Sequence, residues 1–104
     1  MSITELTPET FAESISLPVI LLDFYAPWCG PCRNIGRELE KFAEAHPDIP
    51  VGKINIEEAG NKELAAKFDV STIPALFLFR EGQLVKYTTG FLPLRALEEE
   101  FLDN

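Results

Sequence analysis

Two cysteines in 104 residues, Cys29 and Cys32, are too few for the disulfide framework of a small secreted protein, and their spacing is wrong for stapling a loop. Any role they have is local. Basic residues are also scarce: nine Lys and Arg against seventeen Asp and Glu leave a net charge of -8, which repels phosphate backbones and anionic lipid. Neither nucleic acid nor a membrane surface is expected as a partner. No apolar run approaches the roughly 20 residues of a membrane helix, and Val19 to Leu22 is stopped by Asp23. The N-terminal Met1-Ser2-Ile3-Thr4-Glu5-Leu6 lacks a basic stretch followed by an apolar one, so a cytoplasmic location is expected. Linkers, low-complexity tracts and internal repeats are missing too. With 46% hydrophobic and 25% charged residues, the composition is that of an ordinary globular protein, and the length fits one domain over residues 1–104, expected as a monomer.

What is present is a sequence of patterned segments separated by Pro and Gly. Ile3 to Leu6 reads as a short edge strand. Thr7-Pro8-Glu9 then supplies an N-cap, an N1 proline and a first-turn acid for a helix carrying Phe11 and Ile15. Val19 to Tyr25 is β-branched and aromatic, apolar on both faces except at Asp23, as in a central strand covered on each side. From Cys32 to Ala45, a helical stripe collects Cys32, Ile35, Gly36, Leu39, Phe42 and Ala43. A strand over Val51 to Ile56 and a short helix from about Asn61 to Phe68 follow. Ala75 to Arg80 and Leu84 to Thr88 read as a hairpin across Glu81-Gly82-Gln83, and a last helix carries Leu94, Leu97 and Phe101. The order β-α-β-α-β-α-β-β-α predicts an α/β fold: a central mixed sheet, mostly parallel with an antiparallel terminal hairpin, flanked by helices on both faces.

The chemistry concentrates in Trp28-Cys29-Gly30-Pro31-Cys32, at a strand-to-helix junction of a βαβ pattern, the context in which Cys-x-x-Cys signals redox function. Cys29 falls at the helix N-terminus, where free N–H groups and the macrodipole favour an anion and lower a thiol below its usual ~8.5. Cys32, one turn further on, is close enough to attack a mixed disulfide formed by Cys29. The competing reading is half of a zinc site. Zinc needs four ligands, and beyond the two cysteines only His46 is at hand, so no metal is expected. His46 itself is read as a helix C-terminal residue rather than a catalytic base.

Asp23 interrupts an apolar strand on the face opposite Phe24 and is expected to be buried. Two readings stand: a structural ion pair with Lys53 of the neighbouring strand, or an acid raised by desolvation that exchanges a proton with Cys32 near neutral pH. Ile73-Pro74 precedes the third long strand, a position where proline is tolerated and where cis bonds occur.

The chain resembles the thioredoxin family over essentially its full length. The resemblance is carried by residues 23–32, Asp23-Phe24-Tyr25-Ala26-Pro27-Trp28-Cys29-Gly30-Pro31-Cys32, by Lys53-Ile54-Asn55-Ile56, by Ser71-Thr72-Ile73-Pro74-Ala75, and by Gly82 and Gly90. It implies that Cys29 is an exposed nucleophile, Cys32 the resolving thiol, Asp23 a buried proton-transfer acid and Lys53 its neighbour. It further implies a cis Pro74 against the disulfide, with Trp28, Ile73, Pro74 and Gly90 forming an apolar surface for the partner. Gly30-Pro31 between the cysteines is the pairing of reducing relatives; those with histidine in place of the proline are the oxidising ones. The implied activity is thiol-disulfide exchange that reduces disulfide-containing protein substrates. Recharging would fall to thioredoxin reductase or an equivalent electron donor, since no flavin or nicotinamide site, and no other cofactor, is expected in the chain. Three departures stand out: Arg37 where many relatives have a helix-kinking proline, Ala75 where threonine is common, and Pro27 where some have an acid.

Overall fold

Nine elements alternate along residues 3–102, the part of the chain that the computed structural model describes: β1 (Ile3–Glu5), α1 (Pro8–Ile15), β2 (Val19–Tyr25), α2 (Gly30–Ala45), β3 (Val51–Asn55), α3 (Asn61–Lys67), β4 (Ala75–Arg80), β5 (Gln83–Thr89) and α4 (Leu94–Phe101). The order matches that read from the sequence, with ends shifted by one or two residues. The largest local shift is at α2, which begins at Gly30, so that Cys29 is its N-cap and Pro31 lies in its first turn. Pro is tolerated there because its missing N–H would have no helical partner.

The strands form one sheet in the order β1-β3-β2-β4-β5. Strand β3 pairs parallel with both β1 and β2, and β4 pairs antiparallel with both β2 and β5. The sheet is therefore mixed, but its pairings divide evenly and are not mostly parallel. The reason lies in the connection from β3 to β4, residues 56–74 with α3 inside it, which returns the chain to the end of the sheet where β3 stops. Phe24 is in register with Ile54 of β3 and with Ala75 of β4, so β4 starts there and runs the other way. The β4–β5 turn is Glu81-Gly82, both with positive φ, as a two-residue hairpin requires.

Each face of the sheet carries its own apolar core. On one, Leu21, Val51, Leu76 and Leu78 meet Ile35, Leu39 and Phe42 of α2 and Leu97 and Phe101 of α4. On the other, Leu22, Phe24, Ile54, Phe77 and Phe79 meet Phe11 of α1 and Ala65 of α3. Phe68 ties the second core together, with ring centroids 5.6 to 6.2 Å from Phe11, Phe24, Phe77 and Phe79. Burying such side chains contributes about 1.5–3 kcal/mol each, which fixes β2 and β4 as the rigid centre. Helix α2 runs through Arg37 without interruption to its cap at His46. That arrangement places the N-terminus of α2 above the C-terminal end of β2.

Candidate active site

The C-terminal end of β2, the N-terminus of α2 and the segment entering β4 converge on the two cysteines. Cys29 and Cys32 form a disulfide, with Cα atoms 5.2 Å apart. The local cause is the cap. Cys29 is extended (φ -87°, ψ 113°), and its sulfur accepts the Cys32 backbone N–H at 3.1 Å, as a Ser or Asp side chain does at an N-cap. One of the orphan donors of α2 thus points at the Cys29 sulfur, together with the positive end of the helix. Both residues are buried, Cys29 6% and Cys32 3% exposed, among Ala26, Tyr25, Ile56 and Ile73. The expectation of an exposed Cys29 is corrected here: folding of the Trp28 to Pro31 segment onto the end of β2 leaves Cys29 only slightly more open than Cys32.

The segment that closes the site from the β4 side carries Ile73 and Pro74, joined by a cis peptide bond. Ile73 packs on the cysteine cluster, and Pro74 is buried. The Pro74 carbonyl accepts the Gly90 N–H at 2.9 Å, which brings the end of β5 alongside. Gly90 has φ 89°, a backbone conformation in which a side chain would be strained. Trp28 stands at the outer edge, 66% exposed, and its indole N–H donates to Glu57 at 2.9 Å. Of the four residues expected to form the partner surface, Ile73 packs on the cysteine cluster, Pro74 follows it in the chain and is hydrogen-bonded to Gly90, and Trp28 precedes Cys29; Gly30 and Pro31 form the first turn of α2 between the cysteines.

Asp23 lies deeper. It shares a face of β2 with Leu21, which packs against α2, and with Tyr25, which packs on the cysteine cluster, so it sits beneath the first turns of α2. The residue is fully buried, and neither carboxylate oxygen has a hydrogen-bond partner. Burial pushes its pKa up to about 7; Lys53 opposes this, and Glu5 adds to it. Lys53 is its in-register neighbour on β3, yet the two make no ion pair. The ammonium of Lys53 instead lies over the ring of Tyr25, 4.4 Å from its centroid. Of the two readings of Asp23 drawn from the sequence, the closed ion pair is the one this geometry does not support.

His46 is at the far end of α2, which at sixteen residues is about 24 Å long, and pairs with Glu98 at 2.8 Å. It takes no part in the site. Among the described residues no cluster of three or more His, Cys, Asp or Glu side chains is arranged to hold a metal ion. No helix among them is long and apolar enough to cross a membrane.

Three contributors escaped the sequence reading. Glu57 receives the Trp28 indole, Arg33 donates to the Pro27 carbonyl at 3.0 Å and so closes the loop ahead of Cys29, and Glu5 accepts the Tyr25 hydroxyl at 2.8 Å. A signal existed for Glu57. It follows β3 at the carboxyl end of parallel strands, where sites of α/β sheets are built.

A dithiol capped on a helix N-terminus, able to close into a disulfide and flanked by an apolar rim, is the apparatus of a thiol-disulfide oxidoreductase. The family model "Thioredoxin" matches residues 2–103. A thioredoxin of Alicyclobacillus acidocaldarius is 45% identical over 85 residues, covering 81% of this chain and 79% of that protein. The thioredoxin of Bacillus subtilis is 39% identical over 100 residues, covering 95% and 94%. The crystal structure of oxidised mitochondrial thioredoxin 3 from Saccharomyces cerevisiae superposes with a TM-score of 0.87 at 33% identity, over 99% of this chain and 96% of that one. The chain belongs to the thioredoxin family, and its Cys29–Cys32 pair makes it a dithiol-disulfide oxidoreductase.

Proposed function

We propose that this protein reduces disulfides in partner proteins, with Cys29 attacking and Cys32 resolving. The Cys29 thiolate displaces one sulfur of the partner's disulfide, forming a mixed disulfide and releasing a partner thiolate. Cys32, as thiolate, then attacks the Cys29 sulfur; the Cys29–Cys32 disulfide forms, and the second partner thiolate leaves and is protonated. The partner gains two electrons and two protons. The observation that carries this order of events is the Cys32 N–H donated to the Cys29 sulfur at the start of α2, which favours the anion at Cys29 alone.

Asp23 serves as the acceptor of the Cys32 proton. A carboxyl with a pKa of about 7 is half ionised at neutral pH, so it can take a proton and return it within one cycle. Lys53 keeps its charged form accessible. Trp28, Ile73, Pro74 and Gly90 receive an extended cysteine-bearing segment of the partner, and Gly30-Pro31 keeps the potential on the reducing side. Thioredoxin reductase, or an equivalent NADPH- or ferredoxin-linked donor, returns the dithiol. The chain acts as a cytoplasmic monomer with one domain over residues 1–104, and without nucleic acid or membrane as partner.

Trapping tests the assignment. Cys32→Ser is expected to accumulate mixed disulfides with target proteins, and Cys29→Ser none; equal trapping by both removes the assigned roles. A different reading, in which the same surface only binds partners, predicts that a double cysteine-to-serine variant keeps full activity.

A further inference from the structure

Three ionisable side chains stand in one row across the sheet. In β1, β3 and β2, Glu5 is in register with Lys53, and Lys53 with Asp23. In-register residues of neighbouring parallel strands point to the same face, so the row runs from the exposed edge of the sheet to its buried centre. The sequence pattern assigns nothing to Glu5, which occupies an exposed edge position. Yet its side chain is not loose: it accepts the Tyr25 hydroxyl at 2.8 Å, and the ring of that tyrosine carries the Lys53 ammonium on its face. Helix α2 passes beside the ammonium at Gly36, where a Cβ would lie 3.7 Å from Lys53 Nζ, an ordinary contact distance.

We propose that Glu5 is a positioning residue that acts through Tyr25 and Lys53 to set the pH at which Asp23 takes up and releases its proton. The proposal rests on the reading of Asp23 as proton acceptor. Its physical content is a competition: one cation stands between two carboxylates in ion-pair contact with neither, over the ring of the tyrosine that anchors the outer carboxylate, and the charge of the outer one draws it away from the inner one. A fixed negative charge at Glu5 also disfavours a second negative charge at Asp23, and burial of Asp23 weakens the screening of that repulsion. Tyr25 stays protonated throughout, since burial and the hydrogen bond to Glu5 raise its pKa. On β4 the residue in register with Asp23 is the uncharged Leu76, and the cysteines of the α2 N-terminus carry no charge while the disulfide is closed. Glu58, beyond β3, bears on Tyr25 in the same sense as Glu5.

The test uses the oxidised full chain, in which the cysteines do not titrate, and follows the Asp23 carboxyl carbon by NMR across pH. Glu5→Gln keeps the shape and the acceptor for Tyr25 and removes only the charge. At two strand spacings, about 10 Å, and an effective dielectric between about 40 and 80, the Asp23 midpoint is expected to fall by about 0.3 to 0.6 pH unit. The difference shrinks in 1 M salt, where the Debye length is about 3 Å. Tyr25→Phe, which frees Glu5 without discharging it, lowers the midpoint by less. An unmoved midpoint in Glu5→Gln overturns the proposal, as does a rise. The pH profile of disulfide reduction separates the two readings. If the limb that Asp23→Asn abolishes moves with the NMR midpoint, both stand. If Asp23→Asn leaves the profile intact while the midpoint still moves, the role of Asp23 as proton acceptor fails and that of Glu5 as the charge governing its ionisation survives.

Discussion

Asp23 and Lys53 face each other in register across β2 and β3, and still neither oxygen of the carboxylate has a partner. A buried carboxyl left unpaired is costly when ionised, and the cost appears as a pKa raised from 3.8 to about 7. The sign for stability follows from linkage. The folded state holds its proton to higher pH than the unfolded chain does, so the group's contribution is complete below about 3.8 and is lost as pH rises through about 7.

Asp23→Asn removes that loss. The stability difference between variant and wild type is expected to grow by up to about 1.4 kcal/mol per pH unit between those two values, reaching about 4 kcal/mol above pH 7. Denaturant midpoints measured on both proteins from pH 4 to pH 8 check this, because the difference cancels the titration of the other carboxylates. A difference that stays constant over that range contradicts the raised value.

Pro31 lies in the first turn of α2, exposed and between the two cysteines. Pro31→His places a partial positive charge beside the Cys29 sulfur and stabilises the thiolate of the reduced form. The potential, read by equilibrium with glutathione, is expected to rise by tens of millivolts, each ~30 mV being ~1.4 kcal/mol for this two-electron couple. An unchanged equilibrium would show that the N-terminal field does not govern the pair.

Trp28 is the only tryptophan, so its fluorescence reports one site. Glu57→Ala removes the acceptor of its indole N–H. We expect lower fluorescence anisotropy and weaker capture of mixed-disulfide partners, with a stability change within about 0.5 kcal/mol because both side chains are exposed. Unaltered anisotropy would mean that the ring is held by packing alone.

Helix α4 has no cap of its own in sequence, since its N-cap is Pro93. Glu38 of α2 supplies one: its Oε1 accepts the Leu94 N–H at 2.8 Å, and that bond, with Lys41 beside it, holds the Glu38 pKa below the usual carboxylate value. A lowered value means stability that is present at neutral pH and is lost as pH falls through it. Glu38→Ala is therefore expected to speed hydrogen exchange at the Leu94 amide at pH 7. At a pH low enough to protonate Glu38, wild type and variant converge. Equal exchange at pH 7 would remove Glu38 as the cap.

The order of the nine elements, the location of the dithiol and the burial of Asp23 were legible in the sequence. Helix stripes, strand alternation and proline punctuation are written in residues no more than a turn apart, and Trp28 to Cys32 sits within a single junction. The direction of β4 was not legible, because it depends on which end of the sheet the segment 56–74 returns to, and neither was the exposure of Cys29, which depends on what folds over it. Asp23 shows the division within one residue. Alternation along β2 put it on the face away from Phe24, but whether Lys53 would close on it was open.

The sequence by itself determined which segments are helix and strand, which cysteine caps α2 and which acid is buried, because each of these is settled by neighbours a few residues away. Only the tertiary structure decided that Trp28 meets Glu57, that Tyr25 meets Glu5 and that Glu38 caps α4, contacts spanning 29, 20 and 56 residues. Strand register and helix packing set those meetings, and no periodicity in the chain encodes which polar side chain on one element will find which on another.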